Sequence, residues 1–373
     1  MAEALIRWPS DGVPERPGAW LMTTARHRAI DLIRREARYR DKLALVAALP
    51  ASASREPDDR LRLIFTCCHP ALDPDAQVAL TLRAVAGLTT AEIARAFVIP
   101  ESTLAKRLTR TKQKIVSAHI PYQTPEPDEW PGRLHQVLRV IYLIFNEGYL
   151  TTSGERAERL ELAHDAEWLA ALLVSWLPEE PEPLGLLALI RMHLARWAAR
   201  MDDDSQLVLL EHQDRAVWNR RQIDEATELL ERAGRLRKPG AYQVEAAIQA
   251  VHCEAESWKE TDWFQLLQLY SMLAAHDASP TILLSRAIVL GQLHGPEAAL
   301  HELEALRPAL SNYHLFHASR AVLLERLGRT SEAMEANHSA LTRTSNVAER
   351  ALIEERLGDL GARDADGAPT ERW

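Results

Sequence analysis

The stretch from Asp73 to Lys114 reads DPDAQVALTLRAVAGLTTAEIARAFVIPESTLAKRLTRTKQK, and its helix signals decide the fold of this part of the chain. Asp73 directly before Pro74 is typical of a helix start, because an aspartate caps the first N–H groups and proline tolerates the first helical position. Gly87 predicts the end of this helix. One face of the helix is apolar at spacings of three and four residues: Val78, Leu82 and Val85.

Two further helices are predicted after Gly87. Thr89 and Glu92 have the T-x-x-E spacing of a capping box, which predicts a second, short helix with Ile93 and Phe97 pointing inward. A turn follows at residues 98–100, and Pro100 is suited to the first position of a third helix. Three helices with a tight turn between the last two indicate a helix-turn-helix unit.

The third predicted helix divides its side chains by face. Between Glu101 and Lys114 there are five Lys or Arg residues and one Glu. A helix that reads DNA needs small hydroxyl residues near base edges and cations near phosphates, so this face predicts a recognition helix, with a solvated basic face as the alternative. The inward residues are Leu104, Leu108, Thr111 and Ile115, and the predicted DNA contacts are Ser102, Thr103, Lys106, Arg107, Arg110 and Lys112.

Composition limits the class of protein. The chain has 373 residues, 47% hydrophobic and 26% charged, which predicts roughly two or three domains in a nearly all-helical protein. The net charge is -9, but it is unevenly distributed, and short basic segments have the charge expected for binding nucleic acid. With neither an apolar leader nor a spanning run, we expect a cytoplasmic protein without membrane contact. The three cysteines fit a reducing compartment.

Candidate metal ligands are few. Cys67, Cys68 and His69 are adjacent, but structural zinc sites use wider spacings, so buried structural residues are the preferred interpretation. Residues 202–204 are three aspartates that suggest either a cation site or a solvated loop between helices, and we prefer the loop. The sequence therefore predicts no metal and no cofactor.

A second basic helix is predicted near the start of the chain. Pro17 opens it, and its apolar stripe is Leu21, Ala25, Ala29, Leu32 and Ile33. Residues 26–42 contain seven Lys or Arg and three acids, which indicates either phosphate contacts or a solvated surface. Residues 50–57 then have the composition of a tether, and a short helix is predicted from Asp59 to Cys68. The predicted phosphate contacts are Arg26, Arg28, Arg34 and Arg35.

These segments together resemble a known family. PGAWLMTTARHRAIDLIRRE at 17–36 and ALTLRAVAGLTTAEIARAF at 79–97 resemble an extracytoplasmic-function sigma factor of bacterial RNA polymerase. The resemblance implies that a first domain recognises and melts the minus-ten promoter element, and that the helix-turn-helix reads the minus-thirty-five element. It also implies promoter DNA and the RNA polymerase core as partners. Sixteen residues before Pro17 are too few for the remaining helices of the first domain, so we expect a truncated or internally started chain.

The remaining part of the chain is predicted to be helical with a repeat. Leu134, Val137, Leu138, Ile141, Ile144 and Phe145 share one helical face. SRAIVL at 285–290 recurs as SRAVLL at 319–324, an offset of 34 residues, and Ala299 recurs as Ala333. This period with paired helices is the tetratricopeptide pattern. Residues 242–253 and 261–273 predict another, more divergent helix pair.

This second half also resembles the C-terminal extension of one sigma-factor subgroup. The segments that carry the likeness are VIYLIFNEGY at 140–149, LLEHQDR at 209–215 and AAIQAVH at 246–252. The resemblance implies that the extension regulates the sigma factor, through a protein or ligand that it binds. The implied division is a sigma region 2 remnant at 1–49, a linker at 50–58, sigma region 4 at 59–120, a linker at 121–132 and the extension at 133–373.

Polar residues inside the extension leave alternatives open. Asn146, Glu147, Asp214 and Asp262 predict a hydrogen-bonded structural network or a ligand pocket. The histidines His193, His212 and His252 are placed on amphipathic helices as structural residues. Nucleophile, phosphate-loop and metalloprotease motifs are lacking, so we expect no enzyme. The alternative to a sigma factor is a helical-repeat adaptor or a DNA-binding regulator that does not initiate transcription.

Overall fold

A computed structural model describes residues 59–85, 87–97, 99–120, 130–149, 153–154, 160–202 and 206–366. All of them belong to one compact unit, residues 55–373. The described part is built almost wholly from α-helices, which confirms the all-α prediction. None of these helices combines the length and the apolar character needed to cross a bilayer.

The first four helices of the described residues form the expected helix-turn-helix unit: α1 Asp59–Cys67, α2 Pro74–Ala84, α3 Thr90–Ala96 and α4 Glu101–Ser117. Asp73 caps α2 as predicted, because its carboxylate accepts hydrogen bonds from the N–H groups of Asp75 at 3.1 Å and Ala76 at 3.4 Å. Gly87 has a φ of 75°, a left-handed conformation that lets the chain leave α2.

Pro100 differs from the prediction by one position. It lies before α4 in an extended conformation, with φ -58° and ψ 139°, and its carbonyl accepts the N–H groups of Thr103 and Leu104. Its missing N–H is not needed there, so the ring fits this position as well as the first turn. Ile93 is fully buried and Phe97 half-buried, which confirms the predicted inner face of α3.

The cap at Asp73 should be measurable in the stability of the unit. We expect Asp73→Ala to lower the free energy of unfolding by about 1 kcal/mol, because two N–H groups at the start of α2 lose their acceptor. Asp73→Asn keeps a capping oxygen and is the matched control. Chemical denaturation of both variants measures the difference, and equal losses would show that the cap contributes nothing.

Twelve further helices follow in the described residues. Their bounds are α5 Trp130–Tyr149, α6 Leu160–Trp176, α7 Pro181–Ala195, α8 Arg220–Arg235, α9 Ala241–Glu254, α10 Trp263–His276, α11 Pro280–His294, α12 Pro296–Ala305, α13 Arg307–Leu310, α14 His314–Arg326, α15 Thr330–Leu341 and α16 Val347–Asp366. Single 3-10 turns lie at Trp197–Ala199, Leu210–His212 and Arg215–Val217. Pro181 and Pro183 lie in the first turn of α7, where proline is tolerated.

Helix α5 joins the helix-turn-helix unit to the extension. It packs on α1 and α2 on one side and on α6 and α7 on the other. The whole apolar face predicted from the sequence is buried, each residue at 5% exposure or less: Leu134, Val137, Leu138, Ile141, Ile144 and Phe145. The two parts therefore share packed surfaces in addition to the chain that links them.

Helix α7 lies at the centre of the first half of the extension. It contacts α6, α8 and α9, and almost its whole length is buried. Gly185 allows the close approach of α9, since a Cβ atom there would lie 2.7 Å from the backbone nitrogen of Gln243. Apolar residues occur on all sides of α7, which allows helices to cover it from several directions.

The predicted repeat falls on two helix pairs, α11 with α12 and α14 with α15. The recurring segments 285–290 and 319–324 occupy α11 and α14, and the recurring Ala299 and Ala333 are fully buried in the partner helices. The more divergent pair is α9 with α10. This geometry is compatible with tetratricopeptide repeats, and that assignment stays a prediction.

Two short strands bring distant segments together. Strand β1, Ser153–Gly154, pairs in parallel with β2, Ser345–Asn346. Strand β2 leads directly into α16, whose first turn is capped by the side chain of Asn346. The pairing therefore places the start of α16 next to β1, which follows α5 in the chain.

Candidate nucleic-acid interface

Helix α4 has the two faces that its sequence predicts. Leu104, Leu108 and Thr111 are buried where α4 packs on α2 and α3, and Ile115 is half-buried. The Thr111 hydroxyl donates to the carbonyl of Arg107 at 2.8 Å, so this polar residue is satisfied within the helix. The opposite face of α4 is held outward by this packing.

The outward face carries most of the predicted contacts. Lys106 and Arg110 lie one turn apart and, with Ala105 and Thr109, line a shallow open recess. The Thr109 hydroxyl donates to the carbonyl of Ala105 at 2.8 Å. Ser102, Thr103, Lys112 and Lys114 of α4 are exposed as well.

Arg107 is placed differently from its neighbours. Its guanidinium Nη1 lies 3.3 Å from the Asp75 carboxylate on α2, and the two side chains are 30% and 66% exposed. Exposed ion pairs of this kind contribute less than about 1 kcal/mol, so the contact directs Arg107 toward α2 without fixing it. Of the predicted row of cations on α4, Lys106 and Arg110 share one recess and Arg107 turns away from it.

Thr109 and Ala105 were not among the residues predicted from the sequence. Thr109 lies three positions after Lys106 and four after Ala105, and this helical spacing is the signal that could have indicated them. Arg26, Arg28, Arg34 and Arg35 lie outside the described residues, so their role stays a prediction. Asp203 and Asp204 also lie outside the described residues. Asp202 is described, and its carboxylate accepts the N–H of Gln206 at 2.7 Å.

The adjacent cysteines are buried structural residues, as preferred from the sequence. Burial raises the pKa of Cys67 far above its usual range and that of Cys68 to about 12, so both thiols stay protonated. Cys68 contacts the Thr81 hydroxyl at 3.5 Å, and His69 Nδ1 accepts the N–H of Ala71. Within the described ranges, no group of three metal-ligating side chains comes together.

The network predicted in the extension is wrong for two of its members. Asp214 and Asp262 are exposed, and each caps a separate helical turn by accepting the N–H of Ala216 or Gln265. Asn146 is exposed and hydrogen bonds to Tyr142, and Glu147 is half-buried. The polar contact that the sequence did not indicate joins α5 to α9.

That contact is between Tyr142 and Glu245. The Tyr142 hydroxyl donates to the Glu245 carboxylate at 2.7 Å. Burial, followed by the negative charge of Glu245, raises the pKa of Tyr142 well above its usual range. Burial also raises the pKa of Glu245, although the hydrogen bond from Tyr142 opposes this. The pair therefore stabilises the packing of α5 on α9 and does not form a site open to solvent.

Two of the three histidines are structural residues of helices. Burial, followed by the charge of Arg196, lowers the pKa of His252 to about 3 and that of His193 well below its usual value. Both are therefore neutral at physiological pH. His212, also predicted on a helix, instead lies exposed in a 3-10 turn next to Glu211.

Two segments of the chain match known protein families, and the whole chain is similar to a known protein. Residues 62–115, which span most of α1 through α4, match sigma-70 region 4. Residues 133–234 match a family of unknown function, DUF6596. The chain is 39% identical over 380 residues to an uncharacterized protein of Rhizobium meliloti (strain 1021), across 99% of this chain and 90% of that protein. The chain therefore belongs to the same family as this Rhizobium protein and contains a sigma-70 region 4 domain.

Proposed function

We propose that the chain is an extracytoplasmic-function sigma factor that binds promoter DNA and the RNA polymerase core in the cytoplasm. One observation carries the proposal: the match to sigma-70 region 4 covers the four helices whose last member exposes Lys106 and Arg110 in one recess. The activity is binding rather than bond chemistry, because cations hold phosphates while small polar side chains approach base edges.

The proposed domain division follows from the same resemblance. We assign residues 1–49 to sigma region 2, 59–120 to region 4 and 133–373 to the extension, with linkers at 50–58 and 121–132. The basic helix predicted in the first of these segments would contact the minus-ten element. Two DNA contacts on one chain strengthen each other, because the first raises the effective concentration of the second.

The proposed role of the tetratricopeptide-like extension is regulation of this binding. The main contacts of the extension with region 4 are those of α5 with α1 and α2, and α4 packs on α2 and α3. Regulation would therefore act through the orientation of region 4 or its access to polymerase, not by covering Lys106 and Arg110. Deleting all residues after Pro131 would uncover the surfaces of α1 and α2 that α5 covers, so a test of regulation has to keep α5.

Run-off transcription tests the proposed function. DNA fragments that the full chain retains are first selected from genomic DNA, and purified core polymerase is then added with and without the chain. We expect transcripts that depend on the chain and begin at a fixed distance from the selected sequence. Failure to retain any DNA sequence would overturn the proposal.

A second candidate is a DNA-binding adaptor whose repeats bind another protein. Helix α10 favours it, because Phe264 is 63% and Met272 49% exposed on the surface of the repeats. The same assay separates the two functions: selective DNA retention without transcription by core polymerase supports the adaptor. Phe264→Ser with Met272→Ser would then abolish capture of its partner and leave DNA retention unchanged.

A further inference from the structure

Three arginines of the extension surround one tryptophan. The guanidinium carbons of Arg196, Arg215 and Arg220 lie 5.7, 4.8 and 5.9 Å from the ring centroid of Trp218. Arg196 follows α7, Arg215 begins a 3-10 turn, and Arg220 is the first residue of α8. We call these three residues and Trp218 the arginine cluster.

The arginine cluster is largely removed from solvent. Arg196 is 4%, Arg215 8% and Trp218 3% exposed, and Arg220 lies at the exposed edge. Arginine is seldom buried to this extent unless its charge is paired. The cluster therefore needs a compensating group.

Backbone carbonyls provide part of the compensation. Arg215 donates to the carbonyls of His252 at 2.7 Å and Ala255 at 2.6 Å, and Arg220 donates to that of Cys253 at 3.0 Å. These carbonyls form the C-terminal end of α9, which carries a partial negative charge of about half an electron. Arg196 donates to the side-chain oxygen of Gln249, a neutral group.

The charge nevertheless remains unbalanced. Among the described residues, no carboxylate forms an ion pair with Arg196, Arg215 or Arg220. The partial charges at the ends of α7 and α9 amount to about one negative charge against three positive ones. Burial, followed by the charge of Arg196, lowers the pKa of Arg215. Cys253 and Glu260 oppose this shift, and Glu260 does so from beyond ion-pair distance.

Several buried nitrogen atoms in and beside the cluster also lack a hydrogen-bond partner among the described residues. They are Nε and Nη1 of Arg196, Nη2 of Arg215, Nε1 of Trp218 and Nδ1 of His252. Buried donors without acceptors are uncommon in folded proteins and cost free energy.

We propose that the arginine cluster binds a small organic or inorganic oxyanion, a phosphate or a carboxylate. The guanidinium nitrogens of Arg196 and Arg215 that have no acceptor donate to its oxygens. Guanidinium groups suit this chemistry because two N–H groups can donate to two oxygens of the same anion. Arg196, Arg215 and Arg220 lie in the segment of unknown function, residues 133–234, so the proposal gives that segment a ligand class. It does not depend on DNA binding.

Calorimetric titration of the full chain tests the proposal. Inorganic phosphate and malonate are titrated separately at constant ionic strength, which distinguishes a tetrahedral anion from a dicarboxylate. We expect saturable binding of at least one of them. Arg196→Gln should weaken it tenfold or more, because hydrogen bonds to charged groups contribute more than those between neutral groups.

Arg221→Gln is the matched control, since Arg221 lies next to Arg220 but its side chain is 89% exposed and paired with Glu225. Its affinity should equal that of the wild type. If circular dichroism shows that Arg196→Gln does not fold, Arg220→Gln at the exposed edge takes its place. Absence of saturable binding for both anions, or equal binding by the folded cluster variant, would overturn the proposal.

Discussion

Replacing Lys106 and Arg110 together by alanine is expected to abolish selective DNA binding while the fold is retained. Each contact to a base or phosphate contributes about 1–3 kcal/mol, so losing two weakens binding by roughly 30-fold or more. Both side chains are exposed in one recess and contribute nothing to the core. Titration of a selected DNA fragment by fluorescence anisotropy measures the change.

The salt dependence of the same titrations separates phosphate contacts from base contacts. Loss of a phosphate contact lowers the slope of log affinity against log salt by about one, whereas loss of a base contact leaves it nearly unchanged. The double variant Arg221→Ala with Arg235→Ala removes two exposed cations of α8 and is the charge-matched control. If the variant at Lys106 and Arg110 bound DNA as tightly as the wild type, α4 would not be part of the DNA interface.

Gly148→Ala is expected to destabilise the extension strongly. A Cβ atom at Gly148 would lie 2.4 Å from the backbone nitrogen of Ala163 and 3.0 Å from the carbonyl carbon of Leu162. Forcing extra atoms into a packed interior costs about 1–3 kcal/mol, and here the obstacle is the backbone of α6, which cannot change rotamer. Thermal or urea denaturation of the full chain should show the loss.

Gly234→Ala is expected to stabilise the protein in the same denaturation assay. Gly234 lies within α8, and no atom would come within 4 Å of an added Cβ. Alanine should raise the free energy of unfolding by about 0.5–1 kcal/mol, because it restricts the unfolded chain and favours the helix. If Gly148→Ala proved as stable as Gly234→Ala, the close approach of α5 and α6 would be wrong.

The helix-turn-helix could be predicted from the sequence because its signals are local. The Asp73 cap, the Gly87 stop and the apolar spacing in α4 each depend on residues within a few positions. The pairing of Arg107 with Asp75 was not predicted, since the partners are 32 positions apart and meet only when α4 packs on α2. Helical spacing places a side chain on a face but does not identify its partner.

The arginine cluster could not be predicted either, because its residues are brought together only by the packing of several helices. Its charged members come from the end of α7, a 3-10 turn and the start of α8, and their acceptors come from α9. Each arginine alone resembles a surface residue in the sequence. Asp214 was misassigned for a related reason, because a polar residue among apolar neighbours can cap a turn at the surface.

The pairing of β1 with β2 has a consequence for the order in which the protein folds. Ser153 pairs with Ser345, so the two strands are separated by 192 positions (345 minus 153). At about 5–20 residues per second, the ribosome needs roughly 10–40 s to synthesise the second strand after the first. Contacts between such distant segments form late. Helices α5 to α7 therefore have to hold together during synthesis before β2 and α16 complete the extension.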